Sequence, residues 1–215
     1  MSKKTILIPL GNLELPGDIS VPPQAHALII FAHGSGSSRL SSRNQMVAEY
    51  LNTQGMATFL FDLLTYAEDS DYGNRFNIPL LAQRLKYVTG WLWEQEAYKN
   101  LRTGYFGAST GAAAALLAAR DLPEVAAVVS RGGRPDLALT ALPMVKTSTL
   151  LIVGSLDTDV IRLNEQALAL LGGEKKMEII PGASHLFEEA GTMEKVCVSA
   201  ATWFEMHLHP LELID

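Results

Sequence analysis

The chain has 215 residues, 48% of them apolar and 19% charged, with a net charge of −6 at neutral pH. That length supports one well-cored domain over residues 1–215, and no run approaches the eighteen or so apolar residues of a membrane span. An acidic balance without a basic cluster argues against nucleic acid and anionic membranes as partners. The single cysteine, Cys197, excludes an internal disulfide, fits a cytoplasmic location and is expected to pack in the core.

The start of the chain is read as an edge of a sheet. Residues 4–10 (KTILIPL) and 13–22 (LELPGDISVP) mix apolar residues with Pro and Gly, which predicts an antiparallel strand pair. Pro9 and Gly11 end the first apolar run too soon for a signal peptide. Residues 26–34 (HALIIFAHG) form a continuous apolar run, the mark of a strand buried on both faces. After the Gly/Ser-rich segment 34–44, a helix is predicted from Asn44 to Gln54, closed by Gly55. ATFLFDLL (57–64) is the next strand, and the polar segment 65–77 is expected to be a loop. Leu81, Leu85, Val88 and Leu92 recur at helical spacing within Ile78 to Tyr98.

The second half keeps the same rhythm. TGYFGA (103–108) reads as a strand and GAAAALLAAR (111–120) as a helix. VAAVVS (125–130) and STLLIVGSLD (148–157) are further buried strands. Pro135 suits a helix start, and a helix follows from Val160 to Leu171. KKMEIIPGASH (175–185) supplies the last strand, and Met193 to His209 a closing helix. Strands alternating with helices imply an α/β fold: a mostly parallel central sheet of about eight strands with helices on both faces. Ligands of such sheets bind at the carboxyl ends of the strands.

Four of those ends carry chemistry. Gly107-Ala108-Ser109-Thr110-Gly111 fits G-x-S-x-G between a strand and a helix, the pattern of a nucleophile elbow. A serine hydroxyl needs a base within hydrogen-bond reach, and the base needs a partner to orient it. Asp157 ends a strand and His185 follows the last one, which gives the chain order Ser, Asp, His expected of such a site. Asp159 competes with Asp157, but Asp157 follows directly on the apolar run. His26 opens a strand at the wrong end, and His207 and His209 are spaced too closely to face one another on a helix, so no metal pair is expected.

His33-Gly34-Ser35-Gly36 is expected to turn a backbone N–H toward the elbow. The Ser35 N–H, with Gly34 as the alternative, would form an oxyanion hole with the N–H of Thr110. A dinucleotide-binding loop is the rival for this segment, but the third glycine of G-x-G-x-x-G is missing. Asp62 would serve poorly as its ribose acid and could equally bind loop backbone.

These motifs resemble the α/β-hydrolase superfamily, and within it the dienelactone-hydrolase-like family. The resemblance rests on IIFAHGSGSSRLSSRN, TGYFGASTGAAAALLAA, VVSRGGRPDLA, LLIVGSLD and IIPGASHLFEE and covers nearly the whole chain. It implies a compact α/β-hydrolase fold without a cap domain, and catalytic Ser109, Asp157 and His185 with no cofactor. Dienelactone hydrolases proper use a cysteine where this chain has Ser109, so an ester or lactone bond is implied rather than dienelactone itself. Similar sequences also occur joined to a phosphoribosyltransferase domain, which this chain is expected to lack.

Only residues 131–148 join two strands where many α/β hydrolases insert a lid, so the site should be open to small or medium soluble esters. Arg131 and Arg39 are candidates to bind an acidic acyl group, and Gly34 and Phe187 to line the substrate site. Arg134 and Arg43 lie close by, Asp136 and Glu49 could pair internally with these arginines, and Tyr66 and Tyr72 are further candidate walls. The resulting expectation is a serine hydrolase of carboxylic esters or lactones, monomeric or homodimeric, with a small-molecule substrate. An acyltransferase or peptidase on the same triad, or a non-catalytic binding protein of this fold, are the alternatives.

Overall fold

The structure, a computed structural model, describes residues 3–209. One eight-stranded sheet runs through it in the order β1-β2-β4-β3-β5-β6-β7-β8. The strands are β1 (Lys3–Leu10), β2 (Leu13–Ser20), β3 (Ala27–Ala32), β4 (Met56–Phe61), β5 (Arg102–Ala108), β6 (Val125–Arg131), β7 (Ser148–Gly154) and β8 (Lys175–Ile180). β2 pairs antiparallel with both β1 and β4, and all other pairings are parallel. The continuous apolar runs of β3 and β4 are buried on both faces, as parallel strands under two helical layers must be. The edge strands β1 and β8 are largely exposed and begin with paired lysines, which discourages pairing with a further sheet.

The helices are α1 (Ser42–Thr53), α2 (Tyr66–Asp69), α3 (Ile78–Trp93), α4 (Thr110–Asp121), α5 (Thr158–Leu170) and α6 (Thr192–Leu208). Two hydrophobic clusters lie on opposite faces of the sheet. One joins Val47 and Leu51 of α1 to Val196, Ala200 and Phe204 of α6, with the buried Cys197 in this layer. The other joins α3 and α4, where Leu81, Leu85 and Val88 meet Ala113, Ala115 and Leu116. The alanines of α4 let it sit close against β5, β6 and α3, which explains burial on nearly every side of a helix that is small-residue all round.

β3 has β4 on one side and β5 on the other. The connection leaving β3 enters α1 on one face, and the one leaving β5 enters α4 on the other. A crevice therefore opens at their carboxyl ends, the switch point of the sheet.

Segment 65–77 differs from the expected loop. It holds α2, closed by a capping box in which Thr65 and Glu68 exchange side-chain-to-backbone bonds, and a 3-10 turn over Tyr72–Phe76. The helix from Ile78 stops at Trp93 rather than continuing to Tyr98. Between β6 and β7 there is only a 3-10 segment, Pro135–Met144, and no cap domain. Among the described residues no helix is long and apolar enough to cross a membrane.

Candidate active site

Ser109 joins β5 to α4 with φ 51° and ψ −121°, a left-handed conformation costly for a side chain with a Cβ. The surroundings hold it there. Its N–H donates to Arg131 O at 3.2 Å, and its carbonyl accepts from Ala112 N at 3.1 Å and Arg134 N at 3.1 Å. A Cβ on Gly107 would lie 2.5 Å from Ala112 Cα, and one on Gly111 would overlap the carbonyls of Ala32 and His33. Both elbow glycines are thus dictated by close approach of main chain to main chain.

Asp157 and His185 meet because their loops are stitched together. Leu156 N donates to Ala183 O at 2.9 Å, Ser155 N to Ile180 O at 3.0 Å, and Gly182 N to Ser155 Oγ at 2.8 Å. The result is a 2.6 Å hydrogen bond between His185 Nδ1 and Asp157 Oδ2, with the histidine side chain 39% exposed and the aspartate 15%. Asp157 occupies the N-cap position of α5 but makes no capping bond; its carboxylate is given to His185. Asp159 is 87% exposed and engages Arg162 instead.

Ser109 and His185 each border a glycine at the carboxyl ends of the strands. A Cβ on Gly34 would lie 3.0 Å from Ser109 Cβ, and one on Gly132 would lie 3.6 Å from His185 Cε1. Gly132 directly follows Arg131, whose carbonyl holds the Ser109 N–H. Ser109 Oγ makes no hydrogen bond among the described residues, and a serine–base bond in such sites tightens when substrate binds.

The loop after β3 is fixed from several sides. His33 is half-buried, its Nε2 accepts from Leu63 N at 3.0 Å, and its Nδ1 donates to Gly34 O at 3.0 Å. Burial holds its pKa below the ordinary histidine value, so it braces the loop as a neutral ring. Arg39 gives its N–H to Asp62 at 2.8 Å, and its guanidinium bonds Asp62 with Asp18 at 3.8 Å. Arg39 is therefore committed to two carboxylates rather than turned toward a substrate, and Asp62 binds loop backbone.

The Ser35 N–H does not point into an empty hole. It donates to Thr110 Oγ1 at 2.9 Å, whereas the Thr110 N–H, first in α4, has no acceptor among the described residues. Tyr66 and Tyr72 are exposed rather than walls, with Tyr66 at 93%. Arg134 is paired with Asp136 by two bonds of 2.8 Å. Phe187 is buried with φ 55°, and the Arg131 guanidinium lies 5.8 Å from its ring centre. A groove of about 610 Å³ between α1 and α6 is lined by Met56 and His209 and so lies at the amino ends of the strands, away from these groups. The side of the sheet that carries Ser109, Asp157 and His185 is the better site on chemical grounds, since it holds a serine in the elbow conformation and a histidine oriented by a carboxylate.

No family model matches the chain. A solved dienelactone hydrolase from Anabaena variabilis is 50% identical, with a TM-score of 0.92 over 96% of this chain and 98% of that one. This chain belongs to the dienelactone-hydrolase-like family of the α/β-hydrolase superfamily. The esterase domain of a Rhodothermus marinus protein shares that fold, with a TM-score of 0.79 at 19% identity, over 97% of this chain and 100% of the other. Proteins of two Mycobacterium tuberculosis strains, provisionally named phosphoribosyl transferase, are 53% identical over 199 residues, 92% of this chain. The chain spans 45% of the length of those curated relatives.

Sequence reasoning overlooked two features of this family member's site. The role of Thr110 Oγ1 has no sequence signal, because it depends on how the β3 loop lies over α4. The α2 capping box was legible as Thr65-x-x-Glu68, and α2 anchors the segment whose Arg75 reaches the β3 loop beside Gly36.

Proposed function

We propose that the chain is a serine hydrolase of carboxylic esters or lactones, with Ser109 as nucleophile, His185 as base and Asp157 as the residue that orients it. The observation that carries this is the 2.6 Å bond of His185 Nδ1 to Asp157 Oδ2, formed beside a serine in the strained elbow conformation. With Nδ1–H donated to Asp157, Nε2 is the ring's acceptor for the serine proton. Ser109 Oγ attacks the carbonyl carbon, its proton passes to Nε2, and the C–O bond to the leaving group breaks as Nε2 returns the proton to the departing oxygen. Water then repeats the sequence on the acyl-enzyme: its proton passes to Nε2, its oxygen bonds the acyl carbon, and Ser109 leaves with the proton.

The oxyanion formed in each half-reaction takes the free Thr110 N–H. The Ser35 N–H joins it once the Thr110 hydroxyl turns away. The name of the 50% identical relative, dienelactone hydrolase, supports an ester or lactone bond. The phosphoribosyl transferase name belongs to proteins of which this chain is less than half, and the Ser109 constellation is suited to acyl chemistry instead.

A fluorophosphonate probe tests the assignment. The wild type should be labelled and should hydrolyse short-chain aryl esters, and Ser109→Ala should lose both. A folded wild type that resists the probe and cleaves no ester would make the chain a binding protein of this fold.

A further inference from the structure

The end of β6 leaves one cation without an anion. Arg131 is 7% exposed, and its side chain makes one long hydrogen bond, 3.4 Å from Nη2 to Asn44 Oδ1. Its Nε–H is buried with no acceptor. Arg43 precedes Asn44 in the first turn of α1, and its Nε–H is likewise buried with no acceptor. Burial, and secondarily the charge of Arg43, push the Arg131 pKa down to about 10, so at neutral pH it is still a cation. Among the described residues no carboxylate pairs with Arg131. Cys197, its other charged-state neighbour, is pushed by burial up to about 11 and remains a neutral thiol.

A buried guanidinium with an idle donor, beside a second, half-exposed one whose Nε is also idle, is unfavourable unless an anion completes it. The place is suited to one. Helix α1, twelve residues long, has no acidic residue in its first turn, so its N-terminal partial charge adds to the two arginines. Glu188 reaches Arg43 at 3.3 Å, but it is 65% exposed and screened by solvent. The site adjoins the proposed base: a Cβ on Gly132, next to Arg131, would lie 3.5 Å from the Phe187 ring and 3.6 Å from His185 Cε1.

We propose that Arg131, Arg43 and the first turn of α1 form a binding site for a phosphate dianion beside the His185 loop, and that the ester cleaved at Ser109 carries that phosphate. A dianion matches two full positive charges and a helix terminus better than one carboxylate does. Its three free oxygens accept from both arginines and from helix N–H groups at once, whereas a planar carboxylate is satisfied by a single guanidinium fork. Arg43, on the half-exposed side, is the residue a ligand meets first; Arg131 forms the floor. The substrate half of this proposal rests on the hydrolase reading, and the anion site does not.

Calorimetric titration of the whole chain with inorganic phosphate at pH 8, in a chloride background, tests the site. Phosphate should bind the wild type, bind at least tenfold more weakly to Arg43→Gln, and bind tenfold more tightly than acetate. Absence of phosphate binding, or equal binding to the variant, overturns the site. Arg131→Met should abolish binding; if that variant does not fold, Arg43→Gln decides alone. Matched aryl esters whose acyl chain ends in methyl, carboxylate or phosphonate test the substrate. The phosphonate-to-methyl ratio of kcat/KM should exceed ten in the wild type and fall at least tenfold in Arg43→Gln. A preference for carboxylate, or a ratio that the substitution does not move, overturns the assignment. Intact phosphate binding with none of the three esters cleaved supports the anion site and overturns the hydrolase reading.

Discussion

The bond between Asp157 and His185 makes a sharp prediction for Asp157→Asn. During acyl transfer the imidazole becomes a cation whose charge centre lies about 4 Å from that of the carboxylate, given the 2.6 Å contact. At an effective dielectric of about 20, unit charges at that separation attract by about 4 kcal/mol. At roughly 1.36 kcal/mol per decade this is about three decades of rate. Loss of the fixed tautomer brings the expected fall in kcat/KM to about 10⁴-fold, the scale known for this substitution in a Ser-His-Asp triad.

Stability should hardly change. The Asp157 side chain does not cap α5, and Asn is in any case as good an N-cap as Asp. The assay is aryl-ester hydrolysis across pH 5 to 9 beside thermal unfolding, with Asp159→Asn in parallel. Asp159 touches only Arg162 at the surface, so that variant should stay within about twofold of wild type. A fall below tenfold in Asp157→Asn, or a matching fall in Asp159→Asn, would refute the assignment of the acid.

Gly111→Ala should lower stability by about 3 kcal/mol, or roughly 6–12 °C in Tm, because the new methyl meets the fixed carbonyls of Ala32 and His33. An unchanged melting temperature would mean that the elbow is looser than its contacts indicate. His33 gives a pH effect of definite sign. Burial lowers its folded pKa beneath the unfolded value of about 6.5, so below that pH the unfolded chain binds a proton the folded one refuses. Its contribution is complete above about pH 6.5 and is lost as pH falls toward the folded pKa. Urea midpoints from pH 8 to 5 should therefore fall less steeply in His33→Gln than in wild type, and equal slopes would place the acid lability elsewhere. Asp62→Ala frees Arg39 and with it the loop over Ser109. It should reduce kcat by roughly 10- to 100-fold while changing KM less, and a pure KM effect would show that the loop does not position the reacting groups.

Most of the fold was legible because each strand announces itself by burial. ALIIFA, MATFLF and STLLIVG are apolar runs too short for helices, and each becomes a strand of the sheet interior. The antiparallel start was legible from Pro9, which lies in the edge strand β1, and from Pro16, which lies before the stretch of β2 that pairs with β4. Segment 65–77 was not, because its two short helices bury almost nothing and so leave no periodicity. They are held by polar bonds: Glu68 to the Thr65 N–H at 2.8 Å and to Arg84 Nη2 at 2.7 Å, and Arg75 to Asp69 at 2.8 Å. The capping box lies within a short window, but the Glu68 bond to Arg84 spans sixteen residues and no window of adjacent residues contains it.

The same limit explains the uneven legibility of the site. Ser109, Asp157 and His185 could be placed at strand ends because each follows an apolar run that fixes where the chain emerges. Arg39, Arg131 and Arg134 also follow strand ends, and by sequence they are equivalent. What separates them is the face on which each side chain lies. Arg39 finds Asp62 and Asp18, and Arg134 finds Asp136 two residues on. Arg131 ends β6 with its side chain in the α1 and α6 layer, whose neighbours there are Asn44, Cys197 and the Phe187 ring, none of them an anion. A chain can hold a buried cation in that position only if something compensates it. Arg131 also supplies the carbonyl that fixes the Ser109 N–H, so the buried cation sits directly beside the elbow. An arginine that merely filled space would be replaceable by methionine without cost to the neighbouring serine; one completed by ligand would not.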